Sequence, residues 1–171
     1  RSYSGGGSTS NMTATLSAAT NQNIPAGYIF GNLTITGNGT KTALGNFTVK
    51  GNYTMSGAST IFNDNNFVAT VNGGLSIVNA AGHTGTGKIL LTGGNQAHLI
   101  SGTGRYRNLE IDDPYGAQQN SFVSWGVNGN LALKNGLLRL SSGTTVYLNG
   151  TVTYPAPGGV FAGNALVGST A

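Results

Sequence analysis

Short segments in which apolar and polar residues alternate recur along the chain, and most copies begin at a Gly or an Asn. The copies are GNLTITG (31–37), GNYTMSG (51–57), GGLSIVN (73–79), RNLEIDD (107–113) and GNLALKN (129–135). Alternation with a period of two is typical of a half-buried β-strand, because successive side chains of a strand point to opposite faces. The pattern therefore predicts short strands, each with an apolar inward row and a polar outward row.

The spacing of these strands predicts a long repeat. The first apolar residues of the five copies are separated by 20, 22, 34 and 22 residues, so three of the four steps agree. The longest step contains further apolar segments at 89–91 and 99–100, which predict additional strands or an irregular coil. Gly and Asn between the strands supply the positive-φ residues that tight corners require.

Short strands at this spacing predict an all-β fold, namely a parallel β-solenoid (β-helix) with 20–22 residues per coil. Neighbouring coils stack at the strand spacing of about 4.8 Å, so seven or eight coils would form a rod roughly 35 Å long. The alternative is an antiparallel β-sandwich, which predicts hairpin turns at shorter intervals and no fixed long period.

Changes of composition near both ends predict where the solenoid starts and stops. Residues 1–10 are Gly- and Ser-rich and are predicted to form a flexible leader, residues 11–154 the solenoid, and residues 155–171 a Pro- and Gly-rich break with a tail. Neither end shows an evident charged cap, and open strand edges favour association. We therefore expect the chain to associate with copies of itself or with neighbouring repeats of a longer chain.

The composition is poor in charge. Gly, Thr, Asn and Ser make up 84 of the 171 residues, and only 7% of the residues are charged. A typical globular domain has about a quarter, so acids and bases for catalysis are few, and we expect neither an enzyme nor a cofactor. The net charge of +4 comes from eight cations spread between Arg1 and Arg139, which argues against nucleic acid as a partner. No apolar run approaches the roughly 20 residues that a membrane-spanning helix needs.

Three of the four acidic residues lie together at Glu110, Asp112 and Asp113. On a strand the first two point to the same outward face, about 7 Å apart. Such a pair could serve as acid and base in glycoside cleavage, or supply oxygen ligands to Ca²⁺. The favoured hypothesis is a solvated acidic patch that forms weak surface pairs with Arg105 and Arg107.

Aromatic and histidine side chains give two further hypotheses. Tyr115 and Trp125 lie beside turn residues and are candidates for stacking on sugars, although core packing is favoured for Trp125. Tyr53 occupies an inward position of the alternation. His83 and His98 are 15 residues apart and lack the further ligands that a zinc site needs, so we expect no metal site.

Threonines at alternate positions give a third hypothesis, ice binding by ordered Thr rows. The two Thr-x-Thr pairs lie at 13–15 and 34–36. The pattern does not recur in every predicted coil, so ice binding is only a minor alternative.

Several further segments occur in an order that resembles a known class of repeats. They are IPAGY (24–28), NLTI (32–35), GTKT (39–42), VKGNYTM (49–55), LTGGNQ (91–96), LISGTG (99–104), NLEI (108–111) and VNGNLALKNG (127–136). Together they are similar to the repeat regions of very large secreted surface proteins of Bacteroidota, which resemble adhesins exported by the type IX route. The resemblance covers about residues 20–150. It implies an extracellular repeat scaffold used in adhesion or surface attachment, with no catalytic centre to carry over.

The residues and the resemblance lead to one hypothesis and two alternatives. We expect an extracellular or cell-surface β-solenoid segment that is structural and adhesive, belongs to a surface fibre or a long repeat adhesin, and self-associates. Surface glycans are a further candidate partner. The alternatives are a carbohydrate-binding or carbohydrate-cleaving β-helix and, as a minor one, an ice-binding solenoid.

Overall fold

The computed structural model describes residues 9–78, 82–120, 122–153, 160–162 and 166–168, with the backbone alone for residues 9–11, 160–162 and 166–168. This part of the chain is all-β and contains 22 strands. All the strand pairs are parallel, and the strands stack as a β-solenoid of about seven turns with about 21 residues per coil. The predicted fold is therefore confirmed, and the antiparallel sandwich is excluded. Within the described ranges, no helix could cross a membrane.

The strands are short and follow one another closely. They are β1 Thr9–Leu16, β2 Gln22–Ile24, β3 Ile29–Ile35, β4 Gly39–Ala43, β5 Phe47–Val49, β6 Tyr53–Met55, β7 Thr60–Asn63, β8 Val68–Val71, β9 Leu75–Ile77, β10 His83–Thr84, β11 Lys88–Leu91, β12 His98–Ser101, β13 Arg105–Tyr106, β14 Leu109–Asp112, β15 Ala117–Gln119, β16 Trp125–Val127, β17 Asn130–Asn135, β18 Leu137–Arg139, β19 Thr145–Leu148, β20 Thr151–Thr153, β21 Val160–Ala162 and β22 Leu166–Gly168.

Each coil contributes one strand to each of three faces. The first face contains β5, β8, β11, β14, β17 and β20, and the second face contains β1, β6, β9, β12, β15, β18 and β21. Strand β3 runs across the corner between these two faces, because its first two residues pair with β5 and its last three pair with β6. The third face consists of two ladders, β2-β4-β7-β10 and β13-β16-β19-β22.

The structure explains the one step of the sequence repeat that did not fit. The copies whose first apolar residues are Leu33, Tyr53 and Leu75 lie on the second face. Those whose first apolar residues are Leu109 and Leu131 lie on the first face. The 34-residue step therefore joins two different faces rather than two equivalent positions. The apolar segments at 89–91 and 99–100 belong to β11 and β12, which confirms the additional strands predicted there.

The ladders extend beyond the boundaries predicted for the solenoid. Strand β1 begins at Thr9, inside the predicted leader, and β21 and β22 pair with β18 and β19 inside the predicted tail. The remaining leader residues, 1–8, and the Pro- and Gly-rich break lie outside the described residues.

The core is one continuous column filled by the inward rows of the three faces. Aromatic rings make up much of its width, since Phe62 packs against Phe47 and Tyr53 with ring centroids 5.9 and 5.8 Å apart. Further along, Tyr106 and Trp125 pack edge to face at 5.5 Å. The inward rows thus form one core that the coils share and from which water is excluded. This shared core compensates for the low apolar content of the sequence.

Asparagines stabilise the corners in a way that the sequence did not predict. Only Asn65 and Asn66 among the described non-glycine residues have positive φ, at 49° and 66°. Elsewhere the amide oxygens bridge successive coils, because Asn32 Oδ1 accepts the backbone N–H of Asn52 and Asn52 Oδ1 accepts that of Gly74, at 2.8 and 2.9 Å. Corner asparagines therefore satisfy backbone donors that a strand ladder leaves unpaired.

Candidate functional site

Glu110 lies on the outward row of the first face, where it bridges two lysines. Its carboxylate accepts the ammonium of Lys88 at 2.7 Å and that of Lys134 at 2.9 Å. Burial raises the pKa of Glu110, but the hydrogen bonds and charges of both lysines outweigh this, so its pKa lies below the usual value. A glycosidase acid needs a raised pKa. Glu110 is thus held as a carboxylate in a charge ladder.

Asp112 follows Glu110 in β14 and lies near the same lysine, because the hydrogen bond and charge of Glu110 and the charge of Asp112 raise the pKa of Lys134. The pairing of β14 with β17 shifts after Ile111, so that Asp112 lies opposite Asn135. Its side chain is half-buried and makes no hydrogen bond within the described residues. The extra residue of this irregularity, Lys134, belongs to β17, so the shift gives no departure from the predicted alternation within β14 itself.

Asp113 and the arginines correct the hypothesis of a solvated acidic patch. Asp113 is fully buried. Arg105 lies over the ring of Tyr147, 4.4 Å from its centroid, and Arg107 donates to the carbonyl of Asn128 at 3.4 Å. The pairs predicted between these arginines and the acids are not formed, because Glu110 binds two lysines and Asp113 is buried.

A buried cage holds the Asp113 carboxylate. It accepts the backbone N–H groups of Gly94 and Tyr115 at 2.7 and 2.9 Å, and His98 Nε2 at 3.1 Å. His98 Nδ1 lies 2.8 Å from the carbonyl oxygen of Gly73, which can only accept. The two ring nitrogens of His98 thus contact Gly73 and Asp113, and the imidazole links the corners of three successive coils.

A second cage of the same kind surrounds Asp64, after β7. The carboxylate accepts the backbone N–H groups of Asn66 and Gly87 at 3.0 and 2.7 Å, and His83 Nε2 at 2.9 Å. Here His83 Nδ1 accepts the backbone N–H of Arg107 at 3.1 Å, so this ring donates through Nε2 alone. Each histidine is thus satisfied by a carboxylate and a backbone group.

Lys41 is a third buried charge that the sequence analysis did not single out. Its side chain points into the corner between the second and third faces, and it is 0% exposed. The ammonium donates to the carbonyl oxygens of Ala18, Thr20 and Asn38, each at 2.8 Å. Burial lowers the pKa of this amine, while the three acceptors hold its ammonium form. Lys41 thereby closes the first corner of the rod.

The two aromatic candidates for sugar stacking have different surroundings. Trp125 is 0% exposed and packs on Tyr106 in the core, so the hypothesis that it stacks on a sugar was wrong. Its place at the start of β16 puts the indole on the inward row. Tyr115 is 53% exposed at the corner after β14 and remains accessible.

A groove lies at the corner between the first and second faces. It consists of two adjoining hollows of about 200 and 150 Å³ that share Asn52, Gly74 and Leu99. The hollow on the second face extends past the hydroxyls of Ser76 and Ser101. We call these two hollows together the corner groove.

The lengths of the corners produce this groove. Six residues, 92–97, join β11 to β12, whereas three residues, 72–74, join the preceding pair β8 and β9. The longer connection forms a wall, and Gly74 leaves the floor open. A Cβ at Gly74 would lie 3.0 Å from Asn52 Oδ1 and 3.3 Å from the carbonyl oxygen of Leu99. A larger residue would therefore begin to fill the groove.

The amides of the corner groove divide into two groups. Asn52 holds the backbone of Gly74, and Asn72 donates to the carbonyl of Thr92 at 2.6 Å. The side chains of the second group make no hydrogen bond within the described residues, and they are Asn95, Gln96 and Asn120. The first group builds the groove, and the second is available to a ligand.

Sequence reasoning missed this groove. Its lining comes from four consecutive coils, and alternation gives no measure of how far a corner projects. The signal that could have found it is the adjacent pair Gly73 and Gly74, one coil before the six-residue corner. Among the described residues, no group of three or more His, Cys, Asp and Glu side chains could hold a metal ion.

These features define the class of protein as a three-faced parallel β-solenoid with buried charged corners and an amide-lined groove. Neither a known protein family, nor a curated protein, nor a solved structure matches this chain.

Proposed function

We propose that this chain is an extracellular, structural and adhesive β-solenoid segment, part of a surface fibre or a long repeat adhesin, that associates end to end. The observation that carries the proposal is the parallel ladder that runs through every described coil and ends in strand edges. Strand β2 pairs with β4 alone among the described residues. An edge of this kind can accept a further coil from a neighbouring segment.

The placement of the charges supports a scaffold rather than a glycan-cleaving enzyme. Two of the four acids, Asp64 and Asp113, are used inside the corners, and Glu110 is held by two lysines. The outward rows of β3 to β9 are mainly Thr, Asn and Ser. Such a surface can approach a neighbouring copy without burying unpaired charge.

We expect purified protein to form rods or filaments in which segments stack end to end, visible by electron microscopy and by light scattering. The variant Asn23→Pro should reduce filament formation strongly. The carbonyl oxygen of Ile24 in β2 accepts the backbone N–H of Leu44. Backbone groups of neighbouring strand residues point to opposite sides, so the N–H of Asn23 points to the open edge. Proline at position 23 removes that donor. Asn23→Thr keeps the donor and is the matched control. A compact monomer at all concentrations would overturn the proposed association.

A row of hydroxyls on the second face favours ice binding as a second candidate. Thr15, Thr34, Thr54, Ser76 and Ser101 lie next to one another in register. Hydroxyls in register at about 4.8 Å form an ordered surface for bound water. The flanking row is less regular, since Gly74 interrupts it.

If this row binds ice, the protein should show thermal hysteresis, and Thr34→Tyr should reduce the hysteresis several-fold because the bulky ring interrupts the row. Thr70→Tyr, on the outward row of the first face, is the matched control and should leave the hysteresis unchanged. Absence of hysteresis in the unmodified protein would remove this candidate.

A further inference from the structure

We propose that the corner groove binds a glycan strand through hydroxyl recognition. The inference deepens the adhesive part of the proposed function and rests on it, since it names the class of molecule to which a surface fibre would attach. It concerns Asn95, Gln96 and Asn120, a site different from the acidic cluster and the aromatic pair considered above.

The amide side chains of Asn95, Gln96 and Asn120 are the main support for a glycan site. An amide presents two N–H donors and one carbonyl acceptor in a fixed plane, which suits neighbouring sugar hydroxyls that both donate and accept. Asn95 and Gln96 lie on the wall of the groove and Asn120 at its far end, and none has a side-chain partner in the described part of the chain. A ligand could thus be held from two sides.

The hydroxyls on the floor of the groove indicate the direction in which a bound ligand would lie. Ser101 and Ser76 are paired in register, and Ser76 is paired in register with Thr54, so their hydroxyls step along the rod at the strand spacing of about 4.8 Å. The extended shape matches a chain of sugars lying across several coils rather than a single small molecule.

The charge of the lining narrows the ligand class. Neither hollow is lined by a carboxylate, which disfavours a cation. His98 contributes to the lining, but its ring is bound to Asp113 and Gly73. Lys50 is the one Lys, Arg, Asp or Glu residue in the lining of the two hollows, and it is exposed. The groove therefore fits a hydroxyl-rich, neutral glycan, and Lys50 adds affinity where the glycan carries carboxylates.

The test is binding of the whole chain to an array of neutral and acidic oligosaccharides that includes cellohexaose, chitohexaose and hexagalacturonate, followed by calorimetry with the strongest binder. We expect Gln96→Ala and Asn120→Ala each to raise Kd at least tenfold, and Ser76→Trp to abolish binding by filling the groove. Lys50→Ala should weaken binding of hexagalacturonate more than that of the neutral sugars.

Asn135→Ala is the matched control, because Asn135 is an exposed amide at the same edge of the rod outside the groove. It should leave Kd unchanged, and circular dichroism should show that all variants keep their β-structure. No signal from any oligosaccharide, or equal binding by the variants and the unmodified protein, would overturn the groove as a glycan site.

The same array separates this inference from the proposed fibre when it is run on unmodified protein and on Asn23→Pro. Filaments that bind no glycan would overturn the groove and leave the fibre. Glycan binding by protein that never forms filaments would overturn the fibre and leave the groove.

Discussion

Replacing Asp113 by Ala is expected to lower the free energy of unfolding by about 3–5 kcal/mol, because each buried donor that loses its acceptor costs about 1–3 kcal/mol. The substitution leaves three buried donors without an acceptor, namely Gly94 N–H, Tyr115 N–H and His98 Nε2–H. A domain is stabilised in total by about 5–15 kcal/mol, so the loss is a large part of the whole.

The measurement is urea denaturation followed by circular dichroism at pH 7. Asp112→Asn is the matched control, because Asp112 is the adjacent acid, is half-buried and has no side-chain hydrogen bond among the described residues. Its effect should stay within about 0.5 kcal/mol. Equal losses for the two variants would show that the Asp113 cage contributes no more than surface charge.

The same carboxylate should also make stability depend on pH. Burial raises the pKa of Asp113, but hydrogen bonds from Tyr115, Gly94 and His98 outweigh it, and its pKa lies below the ordinary 3.8. A carboxyl with a lowered pKa contributes stability that is present above about pH 4 and is lost as the pH falls through the lowered pKa. The urea concentration at the unfolding midpoint of the unmodified protein should therefore decrease as the pH is lowered below about 4.

The Asp113→Ala variant should lose less stability than the unmodified protein over that pH range. Asp64 has a pKa lowered by its own hydrogen bonds from His83, Gly87 and Asn66 against the effect of burial, so it keeps part of the acid sensitivity in the variant. An acid transition that is unchanged by the substitution would contradict the lowered pKa of Asp113.

The sequence was sufficient to predict the coils because their physical cause is local. Alternation places Leu109 and Ile111 inside, and stacking of equal coils turns that local pattern into a fold. The same alternation places residue 113 inside, but the Pro and Gly after Asp113 resemble a surface turn. Its partner His98 belongs to the preceding coil. A cage assembled across coils cannot be read from either segment alone.

The corner groove could not be predicted for a related reason. Its shape depends on the difference between a six-residue corner and a three-residue corner that become neighbours only after the coils stack. Whether an aromatic residue beside a corner is exposed, as Tyr115 is, or buried, as Trp125 is, likewise depends on the face that follows that corner. The sequence pattern was therefore sufficient to predict the inward and outward rows of the strands. The contacts at the corners depend on the register in which the coils stack.

Lys41 lies on an inward row of the third face, and its position gives the second large prediction. It pairs in register with Gln22 on one side and Phe62 on the other, at the first corner of the rod. Lys41→Met keeps the length and apolar stem of the side chain but removes the ammonium. Three carbonyl oxygens then lose their donor, and at about 1 kcal/mol for each hydrogen bond the expected loss is about 3 kcal/mol.

Urea denaturation again measures this loss, with Lys50→Met as the matched control because Lys50 is exposed and its ammonium has no partner in the described residues. Acylation of amines in the native protein gives an independent readout. Lys50 should be modified quickly, whereas Lys41 should be protected until the protein unfolds. If Lys41→Met were as stable as Lys50→Met, or if both lysines reacted equally, then the three carbonyls would not need the ammonium, and the first corner would be held by its strands alone.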